Sequence, residues 1–110
     1  MANDATQSML VHNVFFKLKD GSAANTQKLT DACFKYLKDH PGVTFFAAGP
    51  VVPDLERPVN VRDFHVALLV VFKSRQDHDT YQTAAAHLKF IEENKPTWDS
   101  VRVFDSYSKS

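Results

Sequence analysis

The stretch Phe64–Phe72, FHVALLVVF, decides the fold. It holds one polar side chain, His65, among β-branched and aromatic residues, which is the composition of a strand covered on both faces. With a period of two, Phe64, Val66, Leu68, Val70 and Phe72 share one face and His65, Ala67, Leu69 and Val71 share the other. A strand that is apolar on both sides needs two covers.

Upstream, Leu10–Lys19 (LVHNVFFKLK) alternates in the same way, with His12, Val14, Phe16 and Leu18 on one face and Val11, Asn13, Phe15 and Lys17 on the other. Asp20-Gly21 ends it, and Ser22 is an N-cap for a helix to about Lys38, where Leu29, Ala32, Cys33, Tyr36 and Leu37 recur at helical spacing. Pro41-Gly42 stops that helix, and a short strand follows at about Val43–Ala48. Gly49-Pro50, Pro53 and Pro58 punctuate a long connection to about Val61, which reads as a lid. Beyond the central strand, Ser74 caps a second helix to about Ala86, continued or restarted through Asn94 and ended by Pro96. Ser100–Tyr107 (SVRVFDSY) is the last strand.

The order βαββαβ predicts an α+β, ferredoxin-like fold: a four-stranded antiparallel sheet with two helices on one face. The helices cover one side only. Apolar surface left in water is unfavourable by about 25 cal/mol per Å², so the second side is expected to pair with another copy, sheet on sheet. Assigning the greasier face to that seam makes Phe64, Val66, Leu68, Val70 and Phe72 the dimer interface. His65 then lies under the helices, where Leu29, Cys33 and Leu69 are expected to line a pocket for a small apolar ligand.

Composition narrows the partners. A chain of 110 residues, 44% hydrophobic, fits one domain spanning residues 10–108, with residues 1–9 as a polar tail. Thirteen basic residues balance thirteen acidic ones without a long like-charged run, which argues against nucleic acid and anionic membranes as partners. The N-terminus lacks the basic and apolar regions of a signal peptide, and no apolar run is long enough to span a membrane, so the cytoplasm is the expected location. A lone cysteine, Cys33, and no paired Cys/His spacing give no reason to expect a metal or other cofactor. His40 and His78 read as surface groups. Asp105, alternating with Val101, Val103 and Tyr107, needs a partner such as a backbone amide, an arginine or a histidine.

The runs HNVFFKLKD, HPGV and DFHVALLVVFKS, the spacing from Tyr81 to His87 to Phe90, and the closing FDSY together resemble the stress-responsive α/β-barrel domain family, also called the dimeric α/β barrel. The resemblance spans about Val11 to Tyr107. It implies ferredoxin-like protomers that pair through their sheets, and activities that vary across the family. One plant branch contains a polyketide (olivetolic acid) cyclase, whose pocket uses two strand histidines, a tyrosine and a histidine six residues later. By that resemblance the site residues are His12, His65, Tyr81 and His87. His87 would be the general base and Tyr81 the donor to a developing enolate oxygen, with His65 and His12 as secondary contacts. Read singly, each is also an ordinary core residue with a hydrogen-bond partner.

The family usually carries His-Pro three and four residues after the tyrosine, where this chain has Ala84 and Ala85. On an unbroken helix, residues six apart differ by about 240° in direction, so Tyr81 and His87 can face one cavity only if the helix breaks near Ala84–Ala86. Two functions follow: a dimeric module that binds a small apolar ligand, or a cyclase-like, proton-transferring enzyme acting on a small carbonyl compound. A cofactor-free monooxygenase is the third possibility.

Overall fold

Strand β1 (Met9–Leu18) leads to helix α1 (Ala23–Leu37), then β2 (Val43–Pro50) and β3 (Val66–Phe72). Helices α2 (Arg75–Gln82) and α3 (Ala85–Asn94) follow, and a 3-10 turn over Lys95–Thr97 enters β4 (Trp98–Ser108). The structure is a computed structural model and describes residues 8–109. Most of the expected tail lies outside the described residues, and Met9 already belongs to β1. The strands form one antiparallel sheet in the order β2-β3-β1-β4. This is the ferredoxin-like arrangement, with the second helix divided in two.

Register decides which side of the sheet is dry. His12 stands opposite Val70, Val14 opposite Leu68 and Phe16 opposite Val66, and cross-strand partners share a face. The burial of β1 alternates without exception from Met9 to Phe16, with Leu10, His12, Val14 and Phe16 inward. Val66, Leu68, Val70 and Phe72 lie under the helices with them, each at most 3% exposed. The helices bury Leu29, Cys33 and Leu37 from α1, Tyr81 from α2, and His87 and Phe90 from α3.

The face expected at the dimer seam is therefore the helix-covered one. Val66, Leu68, Val70 and Phe72 are core residues. The greasiest layer goes to the side where helices exclude water completely, and the sequence-based expectation had this inverted. Phe64 precedes β3 and sits on the opposite, open face, its ring 5.0 Å from that of Phe15. Leu69 also belongs to the open face, because Val70 and Leu68 on either side of it are inward.

His65 does not share a layer with His12. Its backbone N–H donates to the Phe16 carbonyl at 2.8 Å, and its Nδ1 accepts from the Leu18 N–H at 2.9 Å. The ring lies so close over Gly21 that a Cβ there would come within 2.0 Å of Nε2. His65 thus tethers the end of β1. The connection after β2, expected as a lid, brings Val59, Val61 and Phe64 to a depression shared with Phe15 and Phe104 on the open face and not to the helix side, and Val59 and Val61 stay largely exposed.

Ser22 caps α1 by accepting from the Asn25 N–H at 3.2 Å. Ser74 caps α2 by accepting from the Asp77 N–H at 3.2 Å. The break after α2 has no proline. Thr83 takes φ −107°, ψ 4° and Ala84 takes φ −65°, ψ 145°. Turn bonds run from Thr83 N to the Thr80 carbonyl and from Ala84 N to the Tyr81 carbonyl, and α3 begins with Leu88 N on the Ala84 carbonyl. Burial of Tyr81 before the break and of His87 and Phe90 after it outweighs the preference of alanine for continuing a helix, which is worth tenths of a kcal/mol per residue. Ala85 opens α3 on an exposed position, preceded by the extended backbone that proline requires of its neighbour. Ala85→Pro should therefore raise stability by about 0.4–1 kcal/mol. Urea denaturation measures it, and a clear loss would show that the first turn of α3 depends on the Ala85 N–H.

Candidate functional site

The break turns the two halves of the second helix onto one cavity. Tyr81 and His87 meet with ring centroids 4.6 Å apart and planes at 63°, the convergence that an unbroken helix forbids. The cavity, about 170 Å³, lies between these helices and strands β1 and β4. Val14, Phe16, Phe90 and Ile91 supply apolar wall, and Val101 and Val103 stand near its outer side on β4, where they are partly exposed.

Among the described residues, three buried polar atoms of that lining have no hydrogen-bond partner: Tyr81 hydroxyl, His87 Nδ1 and Trp98 Nε1. Such atoms are uncommon in folded proteins, and each unsatisfied one is unfavourable by about 1–3 kcal/mol. Tyr81 is 2% exposed, and burial, with the Cys33 thiol as a lesser cause, pushes its hydroxyl far above the ordinary phenol range. It stays protonated and can donate. Burial holds His87 down at about 4, helped by the neighbouring His12, His40 and His78, while a hydrogen bond to the Gln82 backbone opposes them. A neutral imidazole carries one N–H and one lone pair, so His87 Nδ1 has the capacity either to donate to a bound group or to accept from it. Trp98 can only donate.

His12 lies 6.1 Å from the Tyr81 ring, and its Nδ1 is 2.5 Å from Asp105 Oδ1. A carboxylate only accepts, so the Nδ1 proton points at Asp105 and Nε2 is left as a lone pair. Burial depresses the pKa of His12 more than Asp105 raises it, so the ring is neutral near pH 7. The cavity thus combines two neutral imidazoles, one phenol and one indole N–H in an apolar chamber. That set can hold an oxygen-bearing head group and move a proton to or from it.

Of the residues expected at this site, the structure brings His12, Tyr81 and His87 together and leaves His65 at the sheet end. Leu29 and Cys33 are core residues but not cavity wall; Leu37, further along the same stripe, is. Burial pushes the Cys33 thiol up to about 12, which suits an inert filler. Trp98 was missed, since a single indole at a strand start gives no periodic signal. His78, expected at the surface, is half-buried with its ring centroid 5.1 Å from that of His12. Its spacing of three from Tyr81 puts both on one helix face and could have revealed this.

Comparison with known proteins agrees with the fold. The model of the Stress Responsive A/B Barrel Domain family matches residues 10–108. Similar solved structures include a dabb family protein with a ferredoxin-like fold from Mesorhizobium loti, 22% identical, with 94% of this chain and 100% of that one covered and a TM-score of 0.77. A dimeric ferredoxin-like protein of unknown function from Thermobifida fusca is 14% identical over 91% of each chain, with a TM-score of 0.76. A hydroxynitrile lyase from Passiflora edulis is 20% identical, with 94% of this chain and 96% of that one covered and a TM-score of 0.74. No curated protein matches the chain.

The depressed His87 predicts an acid weakness. With a value near 6.5 unfolded and about 4 folded, the unfolded state binds the proton more readily. The stability contribution is whole above pH 6.5 and is lost as pH falls toward 4, at most about 3 kcal/mol. Urea denaturation between pH 7 and 4.5 should show a flatter pH dependence for His87→Gln than for the parent. Identical slopes would assign the titration to other groups.

Proposed function

Because the chain belongs to the stress-responsive A/B barrel domain family, we propose that it acts as a homodimer that binds a small, mainly apolar carbonyl or hydroxy compound in the cavity beneath its helices. The observation that carries this reading is the trio of unpartnered buried atoms, Tyr81 hydroxyl, His87 Nδ1 and Trp98 Nε1, around one apolar chamber. An oxygen accepting from Tyr81 and Trp98 satisfies two of them, and a hydroxyl, which both donates and accepts, satisfies His87 Nδ1 in either tautomer. A chamber of about 170 Å³ suits a single aromatic ring with a short substituent, since an engineered cavity of about 150 Å³ holds benzene.

Dimerisation is supported by the open face of the sheet. Phe15, Phe64 and Phe104 cluster there, with ring centroids 5.0 and 5.7 Å apart, and Phe104 and Phe45 are each more than half exposed. An aromatic surface of this kind favours a second sheet over water, and the similar Thermobifida fusca protein is described as dimeric. Phe104→Asp should convert the dimer to a monomer in light scattering. A monomeric parent protein would overturn the assembly without touching the cavity reading.

A second reading, proton-transfer catalysis, is favoured by the His12–Asp105 pair. Asp105 stabilises the His12 cation, so His12 is the stronger base of the two, while His87, held near 4, suits hydrogen bonding to substrate. In the reaction that gives the Passiflora edulis protein its name, a base takes the hydroxyl proton of a cyanohydrin. The bond to the nitrile carbon then breaks, and cyanide leaves with the proton beside a new carbonyl. A cyclase-like aldol closure asks for the same base and the same donor to oxygen.

Benzaldehyde and mandelonitrile are suitable probes. Calorimetric titration should detect binding of benzaldehyde, weakened about 5-fold in Trp98→Phe by the loss of one hydrogen bond. Absence of binding, or equal affinity in Trp98→Phe and Tyr81→Phe, would sink the ligand reading. Release of benzaldehyde from mandelonitrile above the buffer rate, abolished by His12→Ala, is the outcome for catalysis; a rate equal to buffer removes that second reading alone.

A further inference from the structure

His12 belongs both to the cavity and to a second cluster that extends beyond it to His78 and Asp105. One nitrogen each from His12 and His78 and a carboxylate oxygen of Asp105 lie within 4.8 Å of one another. They come from β1, α2 and β4, with His78 and Asp105 lying 66 and 93 residues along from His12, so no sequence spacing announces them. The three differ in exposure: His12 is buried, His78 half-buried and Asp105 open to solvent. A surface depression of about 330 Å³ lined by His78, Asp105, Ser106 and Tyr107 leads to them.

We propose that His12, His78 and Asp105 hold a divalent first-row transition ion, with zinc the best fit to the donor set. Two imidazole nitrogens and one carboxylate are the ligands of a borderline metal, whereas magnesium and calcium prefer oxygen alone. Tetrahedral zinc with bonds of 2.0–2.2 Å spaces its ligands about 3.4 Å apart. The His12–Asp105 contact of 2.5 Å must open by about 1 Å, and the ion takes the place of the proton that pair shares. His78 and Asp105 both line the depression, from which water can supply a fourth ligand.

His78 is already oriented for this role. Its Nδ1 donates to Asp79 Oδ1 at 2.9 Å, which leaves Nε2 as a lone pair, now accepting from the Gln82 amide at 3.2 Å. A carboxylate behind the outer nitrogen of a ligating histidine fixes its tautomer and raises its basicity. Arg75, the nearest cation in the depression, points its Nε at the same Asp79 oxygen at 3.0 Å, which offsets its charge.

The test is calorimetry on the chelator-treated full-length protein with zinc chloride and, separately, magnesium chloride, at pH 7 and pH 6. One zinc per chain is expected, with no magnesium heat and weaker zinc binding at pH 6, because the ion displaces a proton. Cobalt substitution gives a visible absorption band reporting nitrogen and oxygen coordination, independent of any variant. His78→Ala should weaken zinc binding at least 10-fold and Asp79→Asn about 10-fold, with unchanged circular dichroism, while His40→Ala changes nothing. Absence of zinc binding, or His78→Ala binding as well as the parent, overturns the proposal.

Discussion

The pairing of His12 with Val70 is the constraint from which the rest of the molecule follows. Side chains alternate across a strand with a period of two, so one cross-strand partnership assigns every residue of β1 and β3 to a face, and a slip of one residue would exchange the layers. In this register four apolar residues of β3 and the inward residues of β1 make one dry layer under the helices. The open face keeps Phe15, Leu69 and the aromatic cluster near β4. The same pairing carries one imidazole into the apolar layer beside Asp105, which faces His12 across the β1–β4 pair.

Against that layer, the divided second helix does what a straight one cannot. A continuous helix from Arg75 to Asn94 would direct Tyr81 and His87 to different sides. The two residues at Thr83 and Ala84 re-aim the chain, so that α2 contributes a phenol and α3 an imidazole to one chamber. Alanine, the strongest helix former, stands at the cap of the second segment without a side-chain bond to hold it. Local preference is small beside the burial of Tyr81, His87 and Phe90, and the burial prevails.

Much of the fold was legible in the residues. The alternation of β1, the serine caps at Ser22 and Ser74, and the stops at Pro41-Gly42 and Pro96 located the elements to within a few positions. The face assignment failed because hydrophobicity alone ranks faces without saying which cover is drier; the register, a non-local property, decides that. His65 misled for the same reason, since its parity with β3 lost meaning once the chain turned ahead of Val66. The Tyr81–His87 pair could be posed from sequence only as a condition on backbone geometry. Asp105 and His12, 93 positions apart, could be joined only by the β1–β4 pairing.

Trp98 has a practical consequence. It is the only tryptophan in the chain, and it stands in the cavity wall with its ring centroid 5.0 Å from Phe16 and 5.9 Å from Phe90. Its indole nitrogen is sealed from solvent. The tryptophan fluorescence of the protein is therefore emitted from this one chamber. A change in the polarity or filling of the cavity is written directly into the emission spectrum, with no second indole elsewhere in the fold to blur it.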